Sequence, residues 1–216
     1  MNTQTHLLIS AFALARPGKP LRNIAVLVAA FLPDAPIFGL VAWAKMNDVP
    51  ERDIWRTLYW QDPWQTLGAV VNSIPLYGIG LIISALILVL VRRSTTVAVE
   101  PFAPVVSQTS GEAWSVVAIC FFLSCLLHIA FDFPFHVDDA HRHFWPISDW
   151  RFRSPVSYWN RAYHGDMVEM AEMLAGLALV AVLFFRFSSW WVRAVLGFAA
   201  LAYVLVPLYW ALSMAG

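Results

Sequence analysis

The sequence predicts an all-α fold: a polytopic membrane helix bundle of about five to six transmembrane segments with one interfacial helix. Three observations predict it. Hydrophobic residues make up 60% of the 216 and charged residues only 13%, whereas an average soluble domain is about one quarter charged. That much apolar surface exceeds what one small globule buries, so lipid is its natural solvent. The apolar residues also fall into six runs separated by Pro, Gly and Arg, and the 11 tryptophans gather near the run ends as an interfacial belt would. Formal net charge is zero, which leaves no electrostatic footprint for nucleic acid and excludes that class of partner.

The first run, residues 3–15, is short for a full span and reads as a partial or re-entrant helix. It has no Lys or Arg before it and Arg16, Lys19 and Arg22 after it, a charge order that argues for a retained helix and against a cleaved signal. Arg16-Pro17-Gly18-Lys19-Pro20 breaks the chain. The second run, 21–44, is interrupted by Pro33-Asp34-Ala35-Pro36, a pattern that membrane helices tolerate where the freed backbone faces protein or a polar cavity. Asp48 with Glu51 resembles a helix cap, and Ile54, Trp55, Leu58 and Tyr59 share one helical face, which predicts the interfacial helix. The third run covers 64–91 and ends at Arg92-Arg93; residues 94–112, rich in Ser, Thr, Pro and Val, read as a linker. The fourth, 113–133, stops at Pro134. Residues 135–165 form a polar and aromatic loop too long to be a passive connector. Asp166 and Glu169 open the fifth run, which ends at Arg186, and the sixth covers 189–214. Cys120 and Cys125 lie five apart on one helix and point to different faces, so no disulfide is expected between them.

With six spans, the loops carrying Arg16, Lys19 and Arg22, then Arg92 and Arg93, then Arg186 and Arg193 lie on one side, which the positive-inside tendency makes cytoplasmic. The linker is then cytoplasmic and the 135–165 loop periplasmic. His6, Asn72, His128, Asp132, His164, Glu169 and Glu172 fall in the outer half of their spans or just beyond, with Asp34 near mid-membrane. Ionisable groups at such depth are costly, so they require a partner, a metal or a proton pathway.

His128 and Asp132 stand at i and i+4, on one helical face, where both reach a single cation or the carboxylate orients the imidazole. His136, Asp138, Asp139, His141 and His143 follow within eight residues. Neutral imidazole with carboxylate is the ligand set of zinc, and acceptable to iron or manganese. Plainer readings stand beside these: a hydrogen-bonded His128–Asp132 pair bracing the bundle, a solvated charged turn, Asp34 as a helix cap, Glu169 as partner of the Asp166 cap, and Asn72-Ser73 bonding a neighbouring helix. Their convergence on one side argues for a site.

Thr5-His6-Leu-Leu, Leu32-Pro33-Asp34, His128-x3-Asp132, the polar loop and Trp145-Pro146-Ile147-Ser148 together resemble the bacterial inner-membrane metal-dependent hydrolase family, over most of the chain. That family is distantly similar to zinc-dependent phospholipase C and P1-type nucleases. The resemblance implies His6, Asp34, His128 and Asp132 as metal ligands, with His136, His141 and His164 as further candidates, and places the protein in the bacterial inner membrane. Two departures stand out: Asn72-Ser73 replaces the family's His-Ser, and the late His-x3-Glu of the soluble enzymes is absent, His164 and Glu169 being five apart.

The leading expectation is a membrane-embedded hydrolase acting on a phosphoester or other lipid-borne substrate in the surrounding membrane lipid, with a divalent metal such as zinc activating water. His141, His143 or Glu172 serves as general acid or base, while Asn72, Arg142, Arg151 and Arg153 contact the substrate, the arginines neutralising phosphate. The alternatives are a non-catalytic membrane subunit or assembly factor that keeps a degenerate metal site, and a transporter or proton relay using the same His/Asp/Glu chain. Against the relay, the chain has no inverted repeat. No G-x-S-x-G is present, which argues against serine-hydrolase chemistry.

Overall fold

The computed structural model describes residues 1–97 and 109–214. Among the described residues every regular element is helical. The first helix, α1 (Thr3–Leu14), has 12 residues and is therefore about 18 Å long, short of the roughly 30 Å hydrocarbon core. It ends where Pro17-Gly18 turns the chain, Gly18 taking a φ of +73° that disfavours a side chain.

Pro20 occupies the first position of α2 (Pro20–Phe31), where its missing N–H costs nothing. A 3₁₀ turn at Leu32–Asp34 and then α3 (Ala35–Met46) continue the same run. The two prolines thus bend the span without ending it. Asp34 stands at the cap position of α3 but its side chain makes no cap bond, so the capping role is not the one it plays.

The expected Asp48 cap is replaced by a different start. Asp48 lies in the left-handed region at φ 54°, and α4 (Glu51–Asp53) begins after Pro50, which lacks a side-chain donor or acceptor. It runs at once into a π-turn, Ile54–Leu58, closed by the Tyr59 N–H to the Ile54 carbonyl at 2.8 Å. The wider π-turn separates residues that an α-helix would align. Ile54 is buried on Leu40 and Ala44, with Leu58 and Tyr59 packed beside it, while Trp55 is left exposed.

Helix α5 (Asp62–Val71) and the long α6 (Ile74–Val97) are separated at Asn72-Ser73. Ser73 caps the restart by accepting from the Leu76 N–H at 3.2 Å. The middle of the expected linker, residues 98–108, lies outside the described residues; its flanks are helical, 94–97 ending α6 and 110–112 opening α7 (Ser110–Asp132). The Thr109 hydroxyl accepts from the Glu112 N–H and caps α7. Two further helices follow the loop, α8 (Gly165–Arg186) and α9 (Trp190–Met214). Asp166 does not cap α8; it pairs with Arg161 at 2.9 Å, and the residue before the helix is His164.

Among the described residues four stretches are long and apolar enough to cross a membrane: Pro20–Met46, Asp62–Ser94, Ser110–Phe135 and Gly165–Arg186. Exposed Ile79, Ile82, Ile83, Leu86 and Leu90 on α6 suit lipid as neighbour. Helix α7 packs on α2 and α6 through Ala29, Tyr77, Cys125 and Ile129, while α8 and α9 meet α1 through Leu8, Val180, Leu183 and Tyr203. Cys120 and Cys125 are both free thiols. The short α1 is thereby held among α2, α7 and α8, and this carries its polar residues into the bundle.

Candidate metal centre

The 3₁₀ turn at Leu32–Asp34 and the break after Asp132 bring polar groups to the C-terminal end of α7. His128 and Asp132, one turn apart, are both buried. His6 is brought to them by α1: its ring stacks on His128 with centroids 3.7 Å apart and planes 17° apart, and its Nε2 stands 3.3 Å from Asp132 Oδ1. Asp34, delivered by the 3₁₀ turn, places Oδ1 3.5 Å from His128 Nε2 and accepts from the Thr3 hydroxyl at 2.6 Å through Oδ2. His128 is oriented from behind by the Ala30 carbonyl, 2.8 Å from Nδ1. A ring held by a carbonyl at Nδ1 directs the Nε2 lone pair forward, the arrangement metal-ligating histidines adopt.

Beyond Asp132 the helix gives way to a second 3₁₀ turn, Phe133–Phe135, and His136 is extended. The helix that carries His128 and Asp132 ends there, yet the His136 ring returns to the same carboxylate, Nε2 lying 2.6 Å from Asp132 Oδ2. Asp139 pairs electrostatically with the far nitrogen, its Oδ2 3.0 Å from Nδ1. The loop is tied over this end by the Ser154 N–H to the His136 carbonyl (2.8 Å) and the Tyr158 N–H to the Phe135 carbonyl (3.1 Å). It brings His141 to a ring distance of 5.1 Å from His136, with His143 5.7 Å further on.

Two trios result, His6–His128–Asp132 and Asp132–His136–His141, each with ligand atoms within 4.8 Å of one another and sharing Asp132. The α-amino group of Met1 also reaches Asp132, at 2.5 Å. The donor set fits a divalent cation: imidazole and carboxylate only, with His6 Nε2 and His128 Nε2 buried and without a hydrogen-bond partner. Unsatisfied buried nitrogens are expensive, and a cation between them removes the cost. The loop residues divide, since only a neutral imidazole ligates a cation: His141 meets that condition, while the carboxylates around His136 favour its charged form, which a bound cation would have to displace. Burial opposes charge on His136, but Asp132 and Asp139 overcome it and raise its pKa to about 9. Burial, and then the neighbouring His136, push His141 down to about 3, which keeps its ring neutral and its lone pair free. His143 is likewise lowered, chiefly by burial.

His143 sits beside the trios, not in them; its Nδ1 is 3.1 Å from the Asn72 carbonyl oxygen. Asn72 is buried, and its amide donates to the Pro33 and Gly68 carbonyls at 3.1 and 3.0 Å, joining the two broken spans. Arg142 and Arg151 flank His141. Arg142 bonds Asp149 and Thr66, Arg151 bonds the Ala140 carbonyl and Gln65, and Arg153 is exposed. A cavity of about 530 Å³ opens against His136 and His141, walled by Trp55, Tyr59, Trp60, Tyr158 and Trp159.

Besides the exposed Arg153, two expected site residues lie outside the cluster. His164 has a left-handed backbone, φ 64°, which turns it to an exposed position before α8. Glu172 is buried on the other side of α1, where its Oε1 accepts from the Thr5 hydroxyl at 2.5 Å and the Asn2 N–H at 2.7 Å. Thr5 in turn makes a very short contact with the Tyr203 hydroxyl. Thr3 and Met1 join the surroundings of the centre without having been singled out for it, and Asp139, read as one possible ligand among several, lies behind His136. Asp139 was legible as part of the His136–His143 run; Thr3 and Met1 were not.

No protein-family model, no curated protein and no solved structure matches this chain. The functional reading therefore rests on its own residues.

Proposed function

We propose that this chain is a metal-dependent hydrolase of the bacterial inner membrane, with about five to six membrane segments, an interfacial turn at residues 51–58 and its centre at the periplasmic face. The observation that carries the reading is the pair of histidine–carboxylate trios sharing Asp132, with buried imidazole nitrogens that no protein group satisfies. His6, His128 and Asp132, with Asp34 against His128, hold one divalent cation such as zinc; Asp132, His136 and His141 hold a second. When bound, such ions supply Lewis-acid polarisation of the scissile ester and a more acidic water.

The chain's own groups do the rest. Ala30 and Asp139 fix the His128 and His136 rings from behind. The aromatic cavity beside His136 and His141 receives the polar part of a phosphoester substrate, and its tryptophans exclude water and face the interface. Arg142 and Arg151 line a separate, small cavity on His141 and lend positive potential to the substrate phosphate from there, Arg142 with a buried Nε that has no partner. His143, oriented by the Asn72 carbonyl, is the nearest imidazole outside the trios and serves to move a proton.

The test is phosphoester hydrolysis by zinc-loaded protein in lipid vesicles. Turnover that His128→Ala abolishes and His143→Gln lowers supports the reading. Zinc bound without turnover on any phosphoester lipid favours a second reading, in which the ion pins a non-catalytic subunit. One observation speaks for that alternative: Asn72 spends its amide on the Pro33 and Gly68 carbonyls, as a structural residue does.

A further inference from the structure

A second, larger cavity of about 940 Å³ lies on the far side of α1, between α1, the end of α7 and α8. Its volume is at the upper end of what ligand pockets enclose. It follows α8 from His164 to Val182, about 27 Å at the helical rise. One leaflet's acyl chain covers roughly 15 Å, half the hydrocarbon core, so the groove is long enough to take one.

The polar lining is confined to the half of the groove nearer the start of α8, among Met167, Val168 and Ala171. Met1, His164 and Glu172 stand towards the start of α8; beyond them the wall is Ala175, Ala178, Leu179 and Val182. Glu172 is the informative residue. It is 5% exposed, and it lines the groove about 10 Å inside a membrane-spanning helix. Thr5 and Asn2 satisfy its Oε1, while its Oε2 is buried and has no partner. A carboxylate oxygen at that depth calls for a donor, and the protein lining does not provide one.

We infer that this groove is a lipid site, taking one acyl chain along α8 and a headgroup hydroxyl or ammonium on Glu172 Oε2. A head-to-tail change from polar to apolar matches a lipid. A helix from a second copy, packing on Ala171 and Ala175, would need an apolar face along the whole length and would leave the Oε2 unanswered. The site is separate from the metal centre: Thr5, Phe131 and Phe135 line the groove, while the next residue of each pair, His6, Asp132 and His136, serves the centre. The groove and the centre thus share three backbone segments as a common wall.

Native mass spectrometry of the full chain in detergent, titrated with single lipids, tests the inference. Phosphatidylethanolamine and phosphatidylglycerol carry headgroup donors; phosphatidylcholine carries none. The wild type should retain one molecule of either donor lipid about tenfold more tightly than phosphatidylcholine, the worth of a hydrogen bond to a charged group. Glu172→Gln should erase most of that preference. Ala175→Trp, which fills the groove, should lose the bound lipid while keeping wild-type circular dichroism and elution, and Leu86→Trp on exposed α6 should change nothing. Equal retention of all three lipids overturns the headgroup assignment, and so does equal loss in Ala175→Trp and Leu86→Trp. A wild-type dimer that Ala175→Trp dissociates overturns the lipid site in favour of a second copy.

Discussion

His6 and His128, from helices at opposite ends of the chain's first two thirds, stack face to face with ring centroids 3.7 Å apart. Their Nε2 atoms are buried without hydrogen-bond partners, next to the carboxylates of Asp132 and Asp34. Packing alone seldom places two imidazoles this way, since each buried nitrogen left unsatisfied costs free energy. The stack makes sense as one side of a ligand cage, and the predictions below follow from which residues belong to that cage.

Asp139 touches His136 at Nδ1 and belongs to neither trio. Asp139→Asn should weaken metal binding by about ten- to hundredfold, the usual cost of losing a carboxylate behind a ligating histidine. Competition with a fluorescent chelator reads this directly; unchanged affinity would remove Asp139 from the account.

His164 is exposed and outside both trios. His164→Ala should leave metal content at the wild-type level. A drop to half or less would restore the ligand role that its position in the sequence suggested.

Thr5 connects α1 to α8 and α9 through Glu172 and Tyr203. Thr5→Val keeps the shape and removes the hydroxyl, leaving Glu172 with one donor fewer in a buried setting. Stability should fall by about 1–3 kcal/mol, measured by denaturant unfolding in mixed micelles, with zinc content retained. Loss of zinc together with normal stability would place Thr5 in the centre itself.

Gly176 faces Tyr203 so closely that an added Cβ would lie 2.3 Å from the ring. Gly176→Ala should displace the tyrosine from Thr5 and cost about 1–3 kcal/mol through overpacking. Tyr203→Leu in the same background should recover part of the loss. If Gly176→Ala melts like the wild type, the α8–α9 contact is looser than described.

What sequence reasoning could see follows from how local each determinant is. Pro17-Gly18, the Pro33/Pro36 pair and Arg186 mark breaks or ends because backbone chemistry acts within a turn, and each stands where the helices bend or stop. His128 and Asp132 were legible as a pair because helical spacing alone puts them on one face. Spacing does not give the partner of each: the resemblance grouped His6 and Asp34 with them, and the packing of α1 and α2 on α7 is what brings Asp34 to His128 and His6 to Asp132. Asp48 and Asp166 looked like caps, but a left-handed backbone at Asp48 and the Arg161 ion pair at Asp166 took precedence. Glu172 lies with the outer-face residues in sequence yet is bound to Thr5 across α1, a long-range contact that no spacing signals.

Asp132 is common to both trios, so zinc content in Asp132 variants tests the centre most directly. Zinc per chain is measured by plasma mass spectrometry on protein purified without chelator and reconstituted with the metal. The account predicts stoichiometric zinc in the wild type, retained in His164→Ala, reduced in His128→Ala and His141→Ala, and absent in Asp132→Ala. A wild-type chain that folds normally and still takes up no zinc, or an Asp132→Ala chain that keeps all of it, contradicts the account.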